Sequence, residues 1–119
     1  MLNLDTHILL HAVHDTLAPA ERRSLAADVW GISAIVLWEI AKLAQLGRIA
    51  LSLDSPRLLH ALDRIHIWPI DLAICREVAR LDFRSDPADE IIAATSIVHR
   101  VPLVTRDRRI RRSKRVPLA

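Results

Sequence analysis

Four acidic side chains, Asp5, Glu39, Asp89 and Asp107, are of a type and at a spacing that could combine into one chemistry. Carboxylates crowded together repel one another and cannot all ionise cheaply without a counter-charge. A hard divalent cation such as magnesium, which prefers oxygen ligands, removes that difficulty. A cation so held can activate water and polarise a phosphoryl group, so the chemistry that asks for acids and little else is metal-assisted phosphodiester hydrolysis. Each acid also has a plainer reading. Asp89 could complete a capping box with Asp86 or favour the positive end of a helix dipole, and Asp5 and Asp107 could be ordinary caps or turn formers. Glu39, among Val36, Leu37, Trp38 and Ile40, could point to solvent, although burial without a partner would be costly.

The elements that must position these acids are legible from apolar periodicity and turn residues. Residues 2–4 read as a short strand, with Thr6 as cap of a helix through Ile8, Leu9, Leu10 and Ala12. A helix over residues 20–29 follows Pro19, and residues 30–32 read as a buried strand. Ser33 is placed to cap a helix over residues 34–46 that Gly47 stops. Asp54, Ser55 and Pro56 open a helix through Ile65, residues 67–70 form a possible strand weakened by Pro69, and Asp71 begins a helix through Leu81. Asp86, read as a cap, and Pro87 open the next helix, which ends before Pro102. Residues 103–104 continue as a strand, 108–113 as a helix and 116–118 as an edge strand. Short strands alternating with helices predict an α/β fold with a central, mostly parallel sheet flanked by helices.

In such sheets ligands gather outside the carboxyl ends of the strands. Asp5 and Asp107 fall there, each after a strand. Glu39 lies between one and two turns into its helix and Asp89 in the first turn of its own, so all four could converge on one rim.

Composition narrows the class. The 119 residues, 51% hydrophobic and 26% charged with few aromatics, read as one globular domain spanning residues 1–119. No apolar run approaches the roughly 18 residues that span a bilayer, and the N-terminus has no signal-type pattern, so a cytoplasmic location is expected. Cys75, the one cysteine, lies in an apolar-periodic segment and is expected to be a buried thiol. Of the 17 basic residues seven lie within residues 105–115, against one of the 14 acids, which leaves ten bases and thirteen acids elsewhere. A basic tail on a mildly acidic domain suits either a phosphate-rich partner or a solvated helix face. His7, His11 and His14 would lie near one another on a helix but have no further ligand, and Trp30, Trp38 and Trp68 read as core. Gly31 and Gly47 do not form a phosphate-cradling loop.

Four segments in order resemble one family. Leu4-Asp5-Thr6-His7 looks like its first acid motif, and Ile32-Ser33-Ala34 with Leu37-Trp38-Glu39-Ile40 and Leu46-Gly47-Arg48-Ile49 like its second. Asp86-Pro87-Ala88-Asp89 with Ile91-Ile92-Ala93-Ala94-Thr95 looks like the third, and Leu103-Val104-Thr105-Arg106-Asp107 like the fourth. The chain thus resembles the PIN-domain ribonucleases, specifically the VapC-type toxins of bacterial toxin–antitoxin pairs. The resemblance implies the PIN fold and a metal-dependent endoribonuclease using magnesium, with manganese as an alternative ion. Asp5 and Asp89 become the leading ligands, Glu39 and Asp107 complete the site, and Ser33 and Thr105 orient carboxylates or waters. It further implies an RNA substrate guided by Arg106, Arg108, Arg109, Arg111 and Arg112, a cognate antitoxin and a homodimer. Where the family often has a basic residue after its third acid, this chain has Glu90. A catalytically silent nucleic-acid or partner-binding module on the same fold is the rival expectation, and the presence of all four acids favours the enzyme.

Overall fold

The computed structural model describes residues Met1–Ala119. In chain order the elements are β1 (Leu2–Leu4), α1 (Thr6–Val13), α2 (Pro19–Ala26), β2 (Trp30–Ser33), α3 (Ala34–Gln45), α4 (Pro56–Leu62), β3 (His66–Trp68), α5 (Leu72–Val78), α6 (Pro87–His99), β4 (Leu103–Val104) and α7 (Arg108–Arg111). The four strands form one sheet in the order β3-β2-β1-β4, and every pairing is parallel. Parallel strands require crossovers, and helices supply them, flanking the sheet as the alternating pattern predicts. The chain moves outward from β1 to β2 and β3, then returns to the other side of β1 for β4. The strand order therefore reverses between β1 and β4, and a crevice opens at their carboxyl ends.

Burial follows from this topology. All three residues of β1 are buried, because the strand has a neighbour on each edge and helices over it. Leu4, Ile8, Leu9, Ile32, Val36, Ile40, Ile92 and Leu103 form the centre of one apolar cluster. Asn3 is the polar exception, and its amide ties β1 to α6 by donating to the Ile92 carbonyl (3.1 Å) and to Ser96 Oγ (2.9 Å). Ala88, Ala93 and Ala94 on the buried side of α6 let that helix lie close to its neighbours.

Local signals decide most helix ends. Ser33 Oγ accepts from the Ile35 amide (3.2 Å) at the start of α3, and Gly47, at φ +69°, turns the chain after its end. Asp71 caps α5 by accepting from Ile74 N (3.0 Å). Thr6 is not a cap: Asp5 holds that position, and Thr6 is the first helical residue. The helix expected over 20–29 stops at Ala26, because Val29 N–H is taken up by Asp28 and Trp30 Nε1 donates to the Leu25 carbonyl. The helices expected to reach Ile65 and Leu81 end at Leu62 and Val78, and both outer residues are buried in loops instead. The third strand lies at His66–Trp68 rather than 67–70, since Pro69 lacks the amide needed for a ladder. The tail helix is a single turn, and residues 116–118 contribute one parallel bridge, Leu103 to Leu118.

Two core expectations are overturned. Cys75 is exposed on α5, and Trp38 is 55% exposed on α3, because the helices bury other stripes: Ile74 on α5, Val36 and Ile40 on α3. Trp68 does reach the core, stacked on His99 with its ring over Gly31. No helix is long and apolar enough to cross a membrane.

A Cβ built on Gly31 would lie 2.4 Å from the Trp68 ring, so the β2–β3 pairing requires glycine there. Gly31→Ala is expected to destabilise the fold by about 1–3 kcal/mol. Urea denaturation checks this, and an unchanged midpoint would contradict the packing.

Candidate active site

Asp5 follows β1 directly and is only 4% exposed, so its carboxylate is a buried charge at the crevice where strand order reverses. Its Oδ2 accepts a 2.6 Å hydrogen bond from the Thr105 hydroxyl, one residue past β4. The same Thr105 Oγ1 accepts from the Asp107 amide (3.0 Å). One hydroxyl thus links the ends of two adjacent strands and sets the turn that carries Asp107. Asp5 Oδ1 is buried and has no hydrogen-bond partner.

Glu39 arrives from α3, half-buried. Its Oε1 accepts from Thr6 Oγ1, so the hydroxyl read as a helix cap orients an acid instead. Burial pushes the Glu39 carboxyl above its usual range; the Thr6 bond opposes this, and nearby Asp5 adds to it. Asp89 lies in the first turn of α6, where Ser85 Oγ donates to its Oδ2 (3.1 Å). Burial foremost, then the charge of Asp5, pushes Asp89 up to about 6. Asp107 starts α7, with Oδ1 accepting from Ile110 N (2.9 Å).

An open cavity of about 460 Å³ is lined by all four expected acids together with His7, His11, Asp86 and Arg106. Asp86 stands at the N-cap position of α6 as expected, but its side chain makes no capping bond and faces this cavity. The signal was present in the sequence as a carboxylate pair at i and i+3, and Pro87 alone accounts for the helix start. Glu90, the departure from the family pattern, accepts from the Ser85 amide (3.1 Å) and so anchors the loop that holds Asp89. Ser33 is buried as the α3 cap and contacts no carboxylate, so it positions Glu39 only through its helix. Thr6 takes the direct role that its hydroxyl made available.

The basic tail divides. Arg106 is held by Glu21, with Nε and Nη2 donating to the two carboxylate oxygens (2.8 and 2.6 Å), and Nη1 lies 3.1 Å from His11 Nε2. That arginine holds Glu21 down to about 2. Burial, aided by Arg106, lowers His11. Arg111 Nη1 donates to the Thr105 carbonyl (3.1 Å), bracing the turn beneath the acids, and Arg115 pairs with the buried Glu77 of α5. Arg108 and Arg112 stay exposed beside a second cavity.

A family model described as PIN domain matches residues 3–116, and the chain belongs to that family. Within it the chain is of the VapC type: it is 34% identical over 118 residues to Ribonuclease VapC22 of Mycobacterium tuberculosis, covering 89% of this chain and 91% of that protein. Solved structures share the fold. VapBC2 from Rickettsia felis, bound to a DNA fragment from its promoter, aligns with a TM-score of 0.73 at 20% identity over 100% of this chain and 98% of that one. A toxin–antitoxin complex from Klebsiella pneumoniae aligns at 0.68 and 24% identity over 90% and 87%.

Asp89 titrates above the ordinary carboxylate value of 3.8, so the folded state holds its proton more tightly than the unfolded chain. The stability this lends is complete below about pH 4 and is lost as pH rises through about 6. Without divalent cations, stability is therefore expected to fall between about pH 4 and 6 and to level off above, and Asp89→Asn to flatten that fall and equal or exceed the parent at neutral pH. Paired thermal scans across this window check it, and superimposable profiles would contradict it. Thr6→Val is expected to raise the Glu39 titration further, readable in carboxyl NMR shifts; an unmoved midpoint would mean that the Thr6 bond does not hold the charge.

Proposed function

We propose that this chain is a VapC-type endoribonuclease that hydrolyses RNA phosphodiester bonds with magnesium, or manganese, held at the carboxylate crevice, and that it is the toxin of a toxin–antitoxin pair. The observation that carries the reading is the buried, unpartnered Oδ1 of Asp5 among further acids at the strand switch point. A buried carboxylate oxygen without a donor is costly, and a cation would satisfy it while offsetting the burial, and the added repulsion from neighbouring acids, that raise Glu39 and Asp89. The donor set is carboxylate oxygen, which suits a hard cation. No three carboxylates or imidazoles form a ready-made shell around one point. That arrangement fits an ion held by one or two acids and completed by water and substrate oxygens.

Asp5 and Asp89 would hold the cation, with Glu39 and Asp107 completing the acid surface. When bound, the ion supplies a lowered water pKa and polarises the phosphoryl group. The chain's own side chains do the positioning. Thr105 keeps Asp5 Oδ2 engaged and leaves Oδ1 without a donor, Thr6 fixes the Glu39 rotamer, and Ser85 restrains Asp89. Glu39, held above the usual carboxylate range mainly by burial, is the acid placed to accept a proton from water. The relatives support the biological part of the proposal: one is named a ribonuclease, and the solved neighbours are toxin–antitoxin complexes, some on DNA. That likeness supports an antitoxin partner and an RNA substrate for this chain, and a homodimer is proposed from the family resemblance alone.

With magnesium present the purified protein is expected to cleave labelled RNA and to lose cleavage in EDTA. Asp5→Asn and Asp89→Asn should each lower the rate by more than about 100-fold, above the effect typical of outer-shell changes. Full activity of either folded variant would overturn the assignment. A parallel DNA digestion separates ribonuclease from general nuclease. Calorimetric magnesium titration separates the enzyme from a silent binding module, for which no uptake is expected.

A further inference from the structure

A second open cavity, of about 750 Å³, adjoins the acid crevice and shares Asp86, Asp89 and Asp107 as a common wall. The rest of its lining is largely basic and includes Arg84, from the loop before α6, and Arg108 and Arg112, from the tail. No hydrophobic residue lines it, so an apolar occupant has nothing to pack against. The chain's salt bridges lie elsewhere, and these three guanidiniums make no hydrogen bond to protein, although three acids line the same cavity. The other arginines of this region are engaged. Arg106 is neutralised by Glu21, Arg111 braces Thr105, and Arg109 donates from Nη1 to the Arg84 carbonyl (2.8 Å), fastening the tail to the loop so that Arg84, Arg108 and Arg112 line one cavity. Three unpaired like charges brought together by two separate chain segments oppose one another unless an anion joins them. Guanidinium is the group best matched to phosphate oxygens.

We infer that Arg84, Arg108 and Arg112 form a phosphate-binding trough that holds the RNA backbone beside the acid crevice. The trough rests on the ribonuclease reading and gives the substrate one flank. On the His11 side the only cavity-lining arginine, Arg106, is occupied by Glu21, so backbone phosphates are gripped on the Arg84 side alone. Arg84 lies outside the basic run at residues 105–115, and Arg106, Arg109 and Arg111 within that run serve the fold.

The test compares two triple variants of equal charge in the full chain: Arg84→Gln/Arg108→Gln/Arg112→Gln, and a control, Arg23→Gln/Arg48→Gln/Arg76→Gln, at exposed sites outside the trough. Binding of a fluorescein-labelled single-stranded RNA 12-mer is followed by anisotropy in EDTA against salt, with thermal unfolding as a check on integrity. The trough variant is expected to bind about tenfold more weakly at moderate salt and to lose about 2 from the log–log salt slope, roughly 0.7 per phosphate contact on a single strand. The control should stay within about twofold at an unchanged slope. Equal losses in both variants, or none in the trough variant, would overturn the trough. So would retained RNA binding with loss of an octaglutamate peptide, which would assign the cavity to an acidic peptide. Because binding is read without metal, the two readings part cleanly. Metal-dependent cleavage with an unchanged KM in the trough variant removes the trough alone, whereas arginine-dependent binding by a parent that never cleaves removes the catalytic reading.

Discussion

A carboxylate buried between two parallel strands is the constraint on which this molecule turns. Asp5 is almost wholly removed from water, and one of its oxygens has no donor. Ordinary folding would not select such an arrangement, since an uncompensated buried charge costs several kcal/mol in effective terms. It persists because β1 sits between β2 and β4, fully buried and tied by Asn3 to α6, so the residue after it has no freedom to swing outward. Thr105 meets the other oxygen from the end of the neighbouring strand, and its hydroxyl also sets the turn to Asp107.

Around that charge the fold assembles further acids at a cost in repulsion and restrains three of the acids with hydroxyls. Thr105 acts on Asp5, Thr6 on Glu39 and Ser85 on Asp89. The hydroxyls restrain rotamers without neutralising charge, which an arginine or lysine would do. Arg106 lines the crevice and would be that neutralising group, but Glu21 engages its Nε and Nη2 in an ion pair. The site thus stays acidic and open, with its counter-charge left to a ligand. Asp86 belongs to the same surface, and its proximity contributes to the upward shift of Glu39.

The tail shows how one run of charge serves two purposes. Arg111 and Arg115 are structural, one bracing the turn under the acids and the other reaching the buried Glu77, while Arg108 and Arg112 keep their guanidiniums free. Partnered arginines orient the tail, and unpartnered ones supply the field at the crevice.

The α/β class, the parallel sheet, the strand after which each of Asp5 and Asp107 falls, and the Ser33 and Gly47 boundaries of α3 were legible in the sequence, because apolar period and capping chemistry are local. Helix ends at Ala26, Leu62 and Val78 were missed by a few residues, since competing local hydrogen bonds and loop burial decide them. Burial of Cys75 and Trp38 was misread because an apolar residue announces its hydrophobicity but not which stripe of a helix meets the sheet. The same limit governs the site. Residue type named the acids, but only the packed chain determined that Thr6 serves Glu39, that Asp86 faces the crevice instead of capping, and that Arg106 is spent on Glu21. These are contacts between segments 33 to 85 residues apart or choices among alternative partners for one polar group. Their outcome depends on which surfaces the sheet order brings together, a quantity that no local pattern contains.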